Sequence, residues 1–201
     1  MVRIAITGGI ACGKSLVASY VAELGIPVCE ADVLAHAILA PGEAVYRAVV
    51  ERFGGDIVEP GGAIDRSRLG RLVFEDEQRL ADLNALTHPE IMRRLRVWLA
   101  QRGPAETAAA AVIPLLYEIG DEVNWDRVVC VAAPEAEQLR RLADRGLIGD
   151  EARRRLASQW PQVRKTERAD FVIYNGGSRE LLRQQTIEVM RIIGEHDHGR
   201  T

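Results

Sequence analysis

Cysteine is scarce in this chain: Cys12, Cys29 and Cys130 are three in 201 residues. An odd number in unrelated surroundings fits neither a disulfide framework nor a zinc-ligand spacing, and a reducing cytoplasm is the expected setting. Charge of one sign is lacking as well. The formal net charge of −3 gives no reason to expect a nucleic-acid partner, although local basic clusters can still hold phosphates. No apolar run reaches transmembrane length, and the opening residues lack a basic segment followed by an apolar stretch and a small-residue cleavage site, so neither a membrane partner nor a leader is expected. What remains is an ordinary globular composition, 47% hydrophobic and 27% charged. That length suits one α/β core carrying small mobile subdomains.

The stretch that organises the chain is Gly8-Gly9-Ile10-Ala11-Cys12-Gly13-Lys14-Ser15, between the apolar run Val2 to Ile6 and the helix-like Leu16 to Leu24. Glycine, four residues, then Gly-Lys-Ser is the form of a phosphate-cradling loop between a strand and a helix. Glycines let successive backbone N–H groups turn toward phosphate oxygens, and the helix N-terminus adds its unpaired donors. Lys14 would reach the β and γ phosphates, and Ser15 would hold Mg²⁺ through its hydroxyl. Gly9, Ile10, Ala11, Cys12, Gly13, Lys14, Ser15 and Leu16 are therefore the candidate contacts to a nucleotide triphosphate.

A second short strand, Ile26 to Cys29, delivers Glu30, Ala31 and Asp32 at its carboxyl end, where open parallel sheets bind ligands. Asp32 suits two roles: a cap on the following helix, or the carboxylate that orients or deprotonates an acceptor alcohol. From Ala35 to Gln101 the periodicity is helical, with segments at Val45 to Phe53, Leu69 to Phe74, Gln78 to Leu86 and Pro89 to Gln101. His88, just before Pro89, is expected at a helix start, exposed or packed, or else lining an acceptor pocket. Strand character returns from Ala108 to Leu116, with Pro114 near its end. Tyr117 and Glu118 then emerge at the nucleotide edge. Arg127 to Ala132 and Phe171 to Tyr174 complete five strands, and Ser178 can cap a last helix. Between those two strands lies the densest arginine stretch, including Arg141 and Arg145, four apart and expected on one helical face. A lid bearing cations that close over phosphates and exclude water accounts for it.

Taken in order, these residues resemble the dephospho-coenzyme A kinases, a family of the phosphate-loop nucleoside monophosphate kinase superfamily. The similarity lies in the opening Ile-Thr-Gly-Gly-Ile through Lys14-Ser15, in Glu30-Ala31-Asp32 with Ala35-His36, and in Phe53-Gly54, Ile64-Asp65-Arg66 and Leu69-Gly70. It continues through Leu86-Thr87-His88-Pro89, Pro114 to Glu118, Arg141-Leu142 with Arg145, Arg155 with Gln159, Lys165, Ala169-Asp170 and Ile173 with Asn175. The resemblance implies a three-layer α/β phosphate-loop fold with five parallel strands in the order 2-3-1-4-5. The nucleotide core would be 1–34 and 106–201, the helical acceptor insertion 35–105 and the lid 138–168. It also implies transfer of the γ-phosphoryl of ATP to the ribose 3′-hydroxyl of dephospho-CoA; a monomer is expected, with weak oligomerisation open. Lys14, Asp32 and Arg141 would be catalytic, and Arg145, Asn175 and Gly176 would lie on the nucleotide. His36, His88, Leu115, Leu116 and Glu118 would receive the acceptor with Asp32.

Glu30 stands where the family's first aspartate is usual, Cys12 where serine is frequent, and Leu16 where threonine is common. Lys14 and the helix terminus both favour a thiolate, so Cys12 is expected to be reactive and protected by ATP. Another nucleoside or nucleotide kinase of the superfamily would share the loop, lid and carboxylate. A GTPase switch is disfavoured, since the Asn-Lys-x-Asp guanine signature is missing.

Overall fold

The computed structural model describes residues 1–103 and 106–198, the last three by backbone alone. It falls into two compact units, 1–30 with 102–201 and 31–101. The expected insertion boundary at 105 lies outside the described residues.

The first unit is built on β1, Val2–Gly8, which runs into the phosphate loop and α1, Lys14–Glu23. β2 is Val28–Glu30, two residues later than its apolar run suggests. After the second unit come β3, Ala108–Val112, and β4, Arg127–Ala132. Helices α6 (Glu135–Ala143), α7 (Gly149–Ala157) and α8 (Gln162–Arg168) follow, then β5 (Phe171–Tyr174) and α9 (Arg179–His198). All four strand pairings are parallel, in the order β2-β3-β1-β4-β5. An all-parallel sheet is covered on both faces, which is why β3, and β1 apart from the exposed Arg3, read as apolar runs. Ile4, Ile6, Val17, Val21, Val129, Val131, Ile173 and Leu182 form the main core.

β3 stops at Val112, four residues short of the apolar run. The Ile113 N–H still reaches Ile6 O at 2.9 Å, but Pro114 has no donor to continue the ladder. Its carbonyl turns to side chains instead, accepting from Lys165 Nζ at 2.8 Å and Thr7 Oγ1 at 3.4 Å. At the far end of the unit, Ser178 Oγ accepts the Leu181 N–H at 3.1 Å and so caps α9 as expected.

The second unit is helical: α2 (Ala31–Ile38), α3 (Ala44–Phe53), α4 (Arg66–Phe74) and α5 (Glu77–Ala100). Asp65 and Asp76 cap α4 and α5, each accepting two first-turn N–H groups. Its core is Val49, Ile57, Ile64, Leu69 and Val73.

The expected break at Pro89 does not occur. α5 is one helix of 24 residues with Pro89 inside it, although proline there removes a bond to the carbonyl four residues earlier. Thr87, Ile91, Met92 and Leu95 are buried along one face, and Thr87 Oγ1 donates back to Leu83 O at 2.8 Å. Burial along that stripe outweighs the lost bond. His88 therefore sits in mid-helix, not at a helix start. It is half-buried, and burial pushes its pKa down.

Candidate active site

Gly8 ends β1 at φ 139°, where a Cβ would meet Val131 O at 2.1 Å; Gly13, at φ 100°, would drive one into Asn175 Nδ2 at 2.1 Å. Both positions admit only glycine. Ala11 between them also has a positive φ, 58°. Gly13 leads α1 without a side-chain cap, and the first turn carries no acidic residue. Its donors thus face no competing carboxylate, as an anion site requires. Ser15 is exposed in this turn. Lys14 Nζ lies over the loop, donating to Gly8 O at 3.0 Å and Gly9 O at 2.9 Å.

Groups far away in sequence hold the loop. Arg141, on α6, donates to Ala11 O and to Asn175 O, both at 3.1 Å. Asn175, buried just after β5, donates from Nδ2 to Cys12 O at 2.8 Å. Three glutamines complete the frame. Gln159 Oε1 accepts the Ile10 N–H at 2.9 Å. Gln162 bonds both the N–H and the carbonyl of Ala133, at 2.9 and 3.0 Å, and takes the Cys12 thiol at 3.0 Å. Gln138 Nε2 lies 2.6 Å from Cys12 Sγ. None of the glutamines is a site candidate by sequence, because an uncharged amide leaves no periodic or charge signal.

Cys12 is consequently not the reactive thiolate that its neighbours predict. It is fully buried, and burial pushes the thiol pKa up; the Lys14 charge and the Gln138 hydrogen bond act the other way but are the smaller effects. The helical face expected to carry Arg141 and Arg145 also ends early. α6 stops at Ala143, and the chain closes on Gly146 at φ 81° with Leu147 N–H on Leu142 O at 3.0 Å. Arg141 reaches the loop, whereas Arg145 is exposed in the closing turn.

Beyond β3, Leu116 is fully buried, Leu115 half-buried, and Glu118 turns inward. Its Oε1 pairs with Lys165 Nζ at 2.7 Å and accepts the Trp160 N–H at 2.8 Å. Tyr117 stacks on Trp160 with ring centroids 6.0 Å apart, and Arg164 lies 3.5 Å from the Trp160 ring. Gly176 is packed close, a Cβ there meeting Tyr174 at 2.6 Å.

In the helical unit, Asp32 and His36 lie one turn apart on α2, both exposed. Arg66, the first residue of α4, joins them with Nη1 2.7 Å from His36 Nδ1. Burial lowers the Arg66 pKa, and the Asp32 charge acts against that. Arg66 is visible in the sequence only as part of a family signature, with no role attached.

Among the described residues no cluster of three His, Cys, Asp or Glu side chains could hold a metal ion. Mg²⁺ would rely on nucleotide oxygens beside the Ser15 hydroxyl, which is the usual habit of that ion.

A family model described as Dephospho-CoA kinase matches residues 2–180. The dephospho-CoA kinase of Geobacillus kaustophilus is 41% identical over 190 residues, 94% of each chain. That of Thermosynechococcus vestitus is 41% identical over 201 residues, 99% of this chain and 98% of its own. The solved structure of the dephospho-CoA kinase from Campylobacter jejuni superposes with a TM-score of 0.71 at 28% identity, covering 97% of this chain and 98% of that one. Identity at this level, over nearly the whole of both chains and on a sheet that ends in a phosphate loop, leaves one grouping: the chain belongs to the dephospho-CoA kinase family.

Proposed function

We propose that this chain transfers the γ-phosphoryl group of ATP to the ribose 3′-hydroxyl of dephospho-CoA, giving coenzyme A and ADP, the last step of coenzyme A synthesis. The observation that carries the reading is the loop from Gly8 to Ser15, with its uncapped helix terminus, in a chain matched to that family over residues 2–180.

Phosphoryl transfer leaves little covalent work to the protein, so its task is to position and to stabilise charge. Backbone N–H groups of the loop and of the first turn of α1 cradle the phosphates, and Lys14 supplies a cation at the γ position. Arg141 brings a second cation, already fixed by two carbonyls, so little reorganisation is needed as charge develops. Mg²⁺, held by Ser15 and by the nucleotide, would neutralise charge across the β and γ phosphates. Asp32 accepts the hydrogen of the acceptor hydroxyl, orienting its oxygen for in-line attack. Ile10, Ala11, Asn175 and Gly176 keep the loop and its nucleotide in register. In the helical unit His36 and His88 are the acceptor contacts; in the turn after β3 Leu115 is the candidate, supported from within by Leu116, fully buried, and by Glu118, paired with Lys165. The arginine-bearing segment 138–168 closes over the phosphates and excludes water. The three free cysteines suit a reducing, cytoplasmic setting for a monomer acting on a free metabolite.

ADP release tests the reading, measured with Mg-ATP and dephospho-CoA, AMP, CMP, adenosine or no acceptor. Coenzyme A formed in equal amount with ADP, and only with dephospho-CoA, is the expected result. Preference for a nucleoside or nucleotide would overturn the acceptor assignment and leave the phosphate loop intact.

A further inference from the structure

α2 presents Asp32 and His36 on one face, and Arg66 reaches that face from the first residue of α4. A guanidinium has five donors, no acceptor, and stays protonated. At 2.7 Å its contact with His36 Nδ1 is a hydrogen bond only if Nδ1 is the acceptor, which leaves the ring proton on Nε2. The charge of Asp32 also acts on Arg66, which favours a guanidinium that stays near the face on which His36 stands.

We infer that Arg66 is a positioning residue that fixes His36 as the neutral Nε2–H tautomer, so that beside the acceptor-only Asp32 carboxylate stands a hydrogen-bond donor to an oxygen of the nucleotide end of dephospho-CoA. This rests on the reading of Asp32 as the acceptor-side carboxylate. A ribose hydroxyl and its neighbouring oxygens offer both a proton to give and lone pairs to be bonded. A carboxylate satisfies the first and can only repel the second; an N–H beside it satisfies the second. A solvated imidazole spends part of its time with a bare nitrogen on that side, and a fixed cation on Nδ1 removes the unproductive form.

The test uses the full chain labelled with ¹⁵N-histidine, at a pH where imidazole is neutral. His36 is assigned among the four histidines by the signal lost in His36→Gln. Long-range ¹H–¹⁵N spectra should show Nε2–H alone in the parent and in Arg66→Lys, and the tautomer mixture of free histidine in Arg66→Met. Kinetics supply the second readout. Arg66→Met and His36→Asn, which keeps an acceptor at the Nδ1 position but no donor at Nε2, should raise KM for dephospho-CoA roughly 5-fold, the worth of about one hydrogen bond. KM for ATP should stay put, and His36→Gln, whose amide nitrogen reaches the Nε2 position, should keep most of the affinity. A tautomer mixture in the parent, an unchanged spectrum in Arg66→Met, equal losses in His36→Asn and His36→Gln, or a parallel rise in KM for ATP would each overturn the inference. Failure of the proposed reaction itself would show separately, as absence of coenzyme A formation with the spectra unaffected.

Discussion

Lys165 is one of only two lysines in the chain and is fully buried, 0% exposed. Its ammonium is balanced by Glu118 Oε1 at 2.7 Å and Pro114 O at 2.8 Å. Replacing it by methionine, of similar length and no charge, strands the Glu118 carboxylate, whose Oε2 already lacks a hydrogen-bond partner among the described residues. Removing one partner of a buried pair costs about 3–5 kcal/mol. In a chain of this size each kcal/mol lowers Tm by about 2–4 °C, so Lys165→Met should melt roughly 6 to 20 °C earlier. The double variant Lys165→Met, Glu118→Leu removes both charges. It still leaves the Trp160 N–H without this partner, at about 1–3 kcal/mol, while Pro114 O keeps the Thr7 hydroxyl at 3.4 Å. The double variant should therefore be more stable than Lys165→Met alone, a non-additivity that only a coupled pair produces. Urea titrations followed by far-UV circular dichroism measure all four corners of the cycle. A Lys165→Met variant within about 1 kcal/mol of the parent, or a double variant destabilised by the sum of the singles, would refute the account.

Asp32→Asn should keep ATP affinity and lower transfer by on the order of 10²-fold or more; unchanged turnover with dephospho-CoA would remove Asp32 from the chemistry. Gly13→Ala places a methyl 2.1 Å from Asn175 Nδ2 at φ 100°. Titration calorimetry should then show ATP binding weakened at least about 10-fold, since the strain falls on the loop itself. Because burial raises the Cys12 thiol pKa, iodoacetamide near pH 8 should label Cys12 only after unfolding, as read by peptide mass spectrometry; stoichiometric labelling of the native chain would contradict its burial. His88 binds its proton less readily in the fold than unfolded. The unfolded chain takes up more protons below its ordinary value of about 6.5, so stability falls as pH drops through that range. His88→Gln should flatten this part of the stability curve, and an unchanged slope would show that burial of the ring does not matter.

The strands of the sheet were legible where a local rule decided them. β1, β4 and β5 are apolar runs ended by Gly, Pro or Asn-Gly; the residues assigned to β4 and β5 match the observed Arg127–Ala132 and Phe171–Tyr174, while β1 runs two residues past Ile6, to Gly8. The strand order came from resemblance alone, because periodicity does not say which strands are neighbours. Pro89 misled for the converse reason. Its local rule says stop, and the burial of Thr87, Ile91, Met92 and Leu95 along a single helix face overrides it. Arg145 misled because spacing of four implies a shared face only while the helix lasts, and Gly146 ends it.

The phosphate loop shows the same division within eight residues. Its backbone is written locally: Gly8 and Gly13 stand where no Cβ fits, and the motif alone predicts that. The chemistry of Cys12, inside the same motif, is not. Lys14 and the helix terminus, two and one residues away, argue for a lowered thiol pKa. Gln138 and Gln162, 126 and 150 positions away, close over the sulfur and remove it from water. Dihedral angles depend on a residue and its immediate neighbours, whereas the dielectric around an ionisable group depends on whatever the fold brings to it, and desolvation here outweighs a nearby charge. The glutamines that bury the thiol also fasten α6 and α8 to the loop, and Gln159, accepting the Ile10 N–H, fastens the segment between α7 and α8. The loop that receives ATP is thereby joined to the arginine-bearing helices through amides that carry no charge of their own. Uncharged side chains can do this beside a polyphosphate without altering the field that Lys14 and Arg141 supply, which a carboxylate in the same positions would oppose.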